Sequence, residues 1–360
     1  MRKKIFVILF FIIIYSFMFL NIFSKKETIS KYERRKLAKF PNITINGLLN
    51  KSVTSDIDKY ITDNFIIRDS FRTLKIKTEF LLNKTDVNDL FYYKNHYFKY
   101  ENNYDEKQIN KFVQKINYIY ENYFNGFKVY YSVIPEKNYY IDTNKYKKFD
   151  YDGLFNELKN INNNIKYIDI TNDIKLEDYY YTDHHLRQDK IFDAVKTLSI
   201  NMNFEFENNF EVEEYEPFYG TYFGQLLIKN NGEKLYLLHN DTIDSATVYN
   251  LEDDYNKVYN YEKLNGVDGY DVFLSGATPY IELVNNNINS SKELIIFRDS
   301  YTSSFAPLML EGYKKIILLD LRYTSLTNLL DKVNIKNDDT DILFLYSTSL
   351  INGSDVLKVK

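Results

Sequence analysis

The chain has 360 residues, enough beyond an N-terminal anchor for one large α/β domain or two small ones. Its 44% hydrophobic and 27% charged residues fit a folded core rather than a disordered tail. A net charge of -4 and the lack of any RNA- or DNA-binding motif argue against a nucleic-acid partner. With no Cys, disulfides, thiolate nucleophiles and Cys-ligated metals are excluded.

In chain order, Arg2, Lys3 and Lys4 precede an apolar run, Ile5–Phe23, broken only by Ser16 and Asn21. Its roughly 19 residues rise about 28 Å as a helix, close to the hydrocarbon thickness of a bilayer. No A-x-A-like cleavage site follows, so residues 1–23 read as an uncleaved signal-anchor that leaves the domain outside the cytoplasm. Positive charge also follows it, at Lys25, Lys26, Arg34, Arg35 and Lys36. Residues 24–50 read as a juxtamembrane linker and residues 51–360 as the α/β domain.

Helical spacing runs over 52–84 and 106–124, with short strands between them at 91–100. Strand-like runs at 128–134 and 165–170 then alternate with helical stretches near 154–161 and 190–200. Residues 205–287 carry many short strand candidates, with turns at Asn230-Asn231-Gly232 and Asn265-Gly266, and read as a β-rich insertion. Strands at 294–297, 315–319 and 341–346, with helices near 303–311 and 327–332, complete a mainly parallel sheet.

Two segments carry chemistry. Tyr181-Thr182-Asp183-His184-His185-Leu186 holds two of the four histidines and enters a helix. Asp183 and His185 share a side if that backbone is extended. Asp183 can then accept from one imidazole nitrogen and leave the other as a base. Two other readings stand beside this one. Asp183, His184 and His185 offer ligand types for a metal, although only two remote histidines and no Cys remain to complete a set. Asp183 also suits a helix N-cap. No metal and no cofactor is expected.

The second segment is Leu294-Ile295-Ile296-Phe297-Arg298-Asp299-Ser300-Tyr301. An apolar strand there runs into Ser300 and then a helix start. This puts Ser300 at the catalytic edge of an open α/β sheet, where helix-terminal N–H groups favour a developing oxyanion.

These segments resemble the DHHW family of Gram-positive bacteria, and more widely the SGNH-hydrolase-like domains of alginate-type polysaccharide O-acetyltransferases. Asp183-His184-His185-Leu186 resembles the family's Asp-His-His element and Arg298-Asp299-Ser300-Tyr301 its downstream Ser motif. Weaker pieces follow in family order: Glu33–Pro41, Asp63–Asp69, Pro135-Glu136-Lys137, Gly220-Thr221-Tyr222-Phe223 and Asp320-Leu321-Arg322-Tyr323. The resemblance implies an SGNH-like (flavodoxin-like) sheet with circularly permuted motif order, since Asp-x-His precedes Ser. It implies Ser300 as nucleophile, His185 as base and Asp183 as its orienting carboxylate. His184, Asp299, Tyr301, Arg322 and Lys137 are expected to support the site or meet substrate. Arg322 is drawn chiefly toward Asp320, and Lys137 either approaches the site or caps a loop. Leu186 stands where the family name has Trp, and no oxyanion-hole Gly or Asn can be assigned.

The expected function is O-acetyl transfer or acetyl-ester hydrolysis on a cell-surface or secreted polysaccharide. A membrane-bound O-acyltransferase is the implied acetyl donor. The alternative is a catalytically inactive SGNH-like protein that binds glycan or assembles the envelope.

Overall fold

The N-terminal apolar run forms one helix, Arg2–Phe23. Its span Lys3–Phe23 has a mean hydropathy of 2.7 and no buried residues, so it is long and apolar enough to cross a membrane. The structure is a computed structural model. It describes residues 2–30, 33, 35–82, 84–101, 103–226, 232–333 and 339–359. Arg34 and the expected turn residues Asn230 and Asn231 lie outside the described residues.

The chain divides into two units, residues 1–88 with 223–229, and residues 89–222 with 230–360. Residues 51–88 therefore group with the N-terminal unit. That unit carries the helices Ile45–Leu49, Ser52–Asp63 and Arg68–Leu81. The segment expected as a linker holds a short ribbon, Ile29–Ser30 with Arg35–Lys36. Asp63 ties this ribbon down. Its carboxylate accepts from both terminal nitrogens of Arg35, at 2.7 and 2.6 Å, and from the Ala38 N–H at 2.8 Å. Such an exposed fork contributes modestly, but its two-point geometry fixes direction.

The second unit is built on a seven-stranded sheet. Its strands are β1 (Lys128–Ile134), β2 (Ile165–Tyr167), β3 (Thr247–Asn250), β4 (Tyr280–Val284), β5 (Glu293–Arg298), β6 (Lys315–Leu319) and β7 (Thr340–Ser347). The spatial order is β2-β1-β7-β5-β6-β4-β3. The first five in that order pair parallel, and β4 and β3 add antiparallel at the edge. Of the strands expected as an insertion, β3 and β4 thus extend the main sheet. Glu211–Phe218 and Glu233–His239 form a separate antiparallel pair.

The central strands are continuous apolar runs because both faces are covered. Leu294 and Ile296 of β5 join one core with the helices α3 (Phe192–Met202) and α4 (Thr302–Met309). Ile295 and Phe297 join the other, with α1 (Glu106–Ile119) and α2 (Tyr151–Leu158). This three-layer arrangement sends the C-terminal ends of β1, β5, β6 and β7 to one edge, where connecting loops are free to carry polar groups.

Candidate active site

Both chemical segments meet at that edge. Ser300 follows β5 directly and sits just before α4. The histidine segment is a tight loop. Tyr179 bridges Leu186, the Tyr180 N–H donates to the His185 carbonyl at 3.1 Å, and Arg187 N–H to the Asp178 carbonyl at 2.7 Å. The tip of this loop carries residues 181–184.

The His185 ring joins the two segments across 115 positions of sequence: its Nε2 lies 2.9 Å from Ser300 Oγ and its Nδ1 lies 2.7 Å from Asp183 Oδ1. An ionised carboxylate only accepts, so the proton sits on Nδ1. Nε2 is then the acceptor, and the Ser300 hydroxyl donates to it. The ring is held flat against Tyr270, with centroids 3.8 Å apart and planes 2° from parallel. The Tyr301 ring also packs near it, with centroids 5.0 Å apart.

Asp183 is completely buried. Its Oδ1 also accepts from the His185 N–H at 3.0 Å, and its Oδ2 from the N–H and hydroxyl of Thr221 at 2.6 and 2.8 Å. These contacts bear on the metal reading. Asp183, His184 and His185 do offer ligand atoms within 4.8 Å of one another. The carboxylate lone pairs and both His185 nitrogens are already committed to hydrogen bonds, so a cation would have to break the Ser300–His185–Asp183 chain.

The loop itself is fixed from outside. Glu233 accepts from the Tyr181 and Thr182 N–H groups, at 2.9 and 2.7 Å, and from the Thr182 hydroxyl. Burial raises the Glu233 carboxyl, against the pull of those donors. Gly220 lies so close that a Cβ there would meet the Thr182 carbonyl oxygen at 2.2 Å and the Asp183 nitrogen at 2.5 Å. Its own N–H donates to the Thr182 hydroxyl at 3.0 Å, and the Tyr222 N–H to the Thr182 carbonyl at 2.9 Å. Lys137 is buried behind the loop and donates to the carbonyls of Tyr97 and Tyr180. Burial draws its ammonium well below the ordinary lysine range, against Glu233, Asp183 and Glu136. Lys137 therefore supports the loop and does not line the cleft.

The other expected residues divide similarly. Asp299 is buried; it accepts from Tyr301 N–H at 3.1 Å and Ser347 N–H at 2.8 Å, linking the ends of β5 and β7. The Tyr301 hydroxyl donates to Glu136 at 2.6 Å. Arg322 pairs with Asp320 through Nε at 2.9 Å and Nη2 at 2.5 Å, and still reaches the cleft. That cleft encloses about 360 Å³; His184, His185, Asp268, Tyr270, Ser300 and Tyr323 are among its walls. Leu186 is in the hydrophobic core, so the position where the family name has Trp faces away from the cleft.

Tyr270, Thr221 and Glu233 are the residues that sequence reasoning missed. Thr221 lay inside the Gly220–Phe223 motif, the one signal that could have found it. Tyr270 and Glu233 carry no local signal, being one Tyr of 35 and one acidic residue of 50.

No family model matches the sequence, and no curated protein does. Solved structures do. A DHHW family protein from Eubacterium siraeum superposes with a TM-score of 0.64 at 19% identity, over 76% of this chain and 97% of that one. Bacillus cereus PatB1 with a sulfonyl adduct gives 0.60 at 16% identity, over 75% and 100%. Another PatB1 structure gives 0.59 at 18%, over 75% and 99%. The chain shares the fold of these proteins. It is the SGNH-like α/β fold expected from the sequence, and the resemblance read in the Asp-His-His and Ser segments finds a DHHW family protein among the structures that share it.

Proposed function

We propose that the chain is a serine-dependent acyl-transfer enzyme that moves or removes O-acetyl groups on a polysaccharide outside the cytoplasm. The observation that carries this reading is the continuous hydrogen-bonded chain Ser300–His185–Asp183, with links of 2.9 and 2.7 Å. In the first step, Ser300 Oγ attacks the ester carbonyl while its proton passes to His185 Nε2. Asp183 holds the ring and stabilises the imidazolium. The intermediate collapses, and the leaving alkoxide takes that proton. A sugar hydroxyl or water, deprotonated by His185, then removes the acetyl group from Ser300. A sugar acceptor makes the protein a transferase and water makes it an esterase.

The substrate class is supported by the cleft, whose carboxylates, hydroxyls and tyrosines suit a polyol that offers both hydrogen bonds and a ring face. It is supported too by the resemblance to alginate-type polysaccharide O-acetyltransferases. The N-terminal helix supports single-pass anchoring in the cell membrane, and the family resemblance implies a membrane-bound O-acyltransferase as acetyl donor.

The sulfonyl adduct of PatB1 suggests the test. The full chain in detergent is treated with phenylmethanesulfonyl fluoride and, separately, assayed with 4-nitrophenyl acetate. One sulfonyl group on Ser300, and ester turnover lost in Ser300→Ala, are expected. Equal turnover in Ser300→Ala and the unaltered chain would sink the proposal.

A further inference from the structure

Acyl transfer needs donors aimed at the carbonyl oxygen as it becomes negative. The start of α4 is the obvious source, because the first turn of a helix leaves its N–H groups unpaired. Here that turn is mostly committed. The Tyr301 N–H donates to Asp299 Oδ1 at 3.1 Å, Thr302 N–H to the Asp299 carbonyl at 3.4 Å and Ser303 N–H to the Ser300 carbonyl at 3.1 Å. Among the described residues this leaves the amide of Ser300 itself, and a single donor is short of what such a site uses.

Ser303 supplies what is missing. It lies one helical turn after Ser300 and lines the same cleft. Its Oγ accepts from Arg298 Nη1 at 2.8 Å. A guanidinium only donates, so the Ser303 proton points away from Arg298. Among the described residues that proton has no acceptor, although the side chain is almost wholly buried. Ser275, the other serine of the wall besides Ser300, is engaged, accepting from Asn260 Nδ2 at 2.8 Å and bonding the Asp253 carboxylate.

Arg298 is unusual in its own right. It is the largest fully buried side chain, and its Nε and Nη2 have no protein partner among the described residues. Asp320 and Asp299 favour its charge against the cost of burial, and its Nη1 is committed to Ser303 and the Asp299 carbonyl. Aligned behind Ser303, it polarises that hydroxyl and makes it a stronger donor.

We propose that Ser303 is the side-chain donor of the oxyanion site and that Arg298 is its positioning residue. As Ser300 Oγ bonds to the carbonyl carbon, the carbonyl π pair moves onto oxygen. The new oxyanion accepts from Ser303 Oγ–H and the Ser300 N–H until it collapses and the alkoxide leaves. This rests on the acyl-transfer reading above, and the two are tested separately in one series.

The full chain in detergent is assayed with 4-nitrophenyl acetate as Ser303→Ala, Ser303→Thr, Arg298→Gln and the Ser303→Ala/Arg298→Gln pair, with Ser300→Ala alongside. Ser303→Ala is expected to lower kcat by roughly 10²–10³ with KM little changed, and Ser303→Thr to recover most of it. The double variant is expected to be no slower than Ser303→Ala alone, because Arg298 acts through that hydroxyl. Loss in Ser300→Ala with full kcat in Ser303→Ala overturns the inference and leaves the acyl-transfer reading standing. Equal rates in all variants, Ser300→Ala included, overturn both. If Arg298→Gln does not fold, Ser303→Ala and Ser303→Thr still decide the role of Ser303. A double variant slower by the full product of the two losses removes Arg298 from the scheme.

Discussion

The two halves of the site are built in opposite ways. Ser300 stands where regular structure puts it, at the end of a central strand and the start of a helix, and its neighbours are fixed by sheet and helix bonds. Asp183 and His185 stand on an irregular loop whose base is closed by its own backbone bonds but whose tip is held from outside. Glu233, Lys137, Gly220 and Thr221, far from them in sequence, hold that loop in place. Position on the serine side comes mainly from the strand-to-helix junction, and on the histidine side mainly from contacts with residues distant in sequence. The histidine half should therefore be the more easily disturbed by single substitutions away from the reacting groups.

The largest effect should come from Asp183→Asn. The amide cannot hold Nδ1–H as the carboxylate does, and the Thr221 donors would steer its oxygen away from the ring. A loss of kcat on the order of 10³–10⁴ is expected from the wrong tautomer, with the fold retained by circular dichroism. A loss under tenfold would mean that the loop orients His185 without its carboxylate.

Gly220→Ala probes the supports of the loop without touching the triad. Its Cβ would meet backbone, which cannot move aside as a flexible side-chain end can. Overpacking of this kind costs roughly 1–3 kcal/mol, read as a lowered Tm. The displacement of Asp183 should cut turnover on the order of 10², the scale of a 1 Å misplacement. An unchanged Tm and rate would make the two halves equally robust and erase the contrast.

The smallest effect lies on the serine side. Tyr301 leans on Glu136, and Glu101 is buried near that carboxyl. Burial, with the charge of Glu136, pushes the Glu101 carboxyl up to about 8. A carboxyl raised in the folded state contributes most below its unfolded value, and that contribution fades as pH rises through the folded one. The unaltered chain should lose stability between about pH 5 and 8. Glu101→Gln should flatten that slope in thermal melts at several pH values while turnover at neutral pH barely changes. Burial also raises Glu233 and Glu136, so part of the slope should remain; a slope wholly unchanged by the substitution would remove Glu101 from it.

The same contrast explains what the sequence disclosed. Strand β6 falls at the predicted 315–319, and β5 and β7 within one residue of their predicted limits, because buried strands are unbroken apolar runs. Ser300 could be read because it sits at the junction of two such elements. Asp183 and His185 could be read from their spacing of two and from the scarcity of histidine. What holds them could not. Tyr270, which covers the His185 ring, and Glu233, which gathers the loop amides, depend on long-range packing that leaves no periodic trace. The helix start was read as a source of free amides; three of them are engaged, since Asp299 and the Ser300 carbonyl lie close enough to accept them. In the sequence Leu186 only stands where the family name has Trp, and the bridge from Tyr179 turns it toward the core.

Strand order has one more consequence. β1 and β5 do not touch each other; each pairs with β7, which lies between them and comes last of the seven in the chain. A ribosome therefore releases both chemical segments well before the strand that joins their two sides of the sheet. The 2.9 Å contact between Ser300 and His185 thus waits on a strand that is made after both of them.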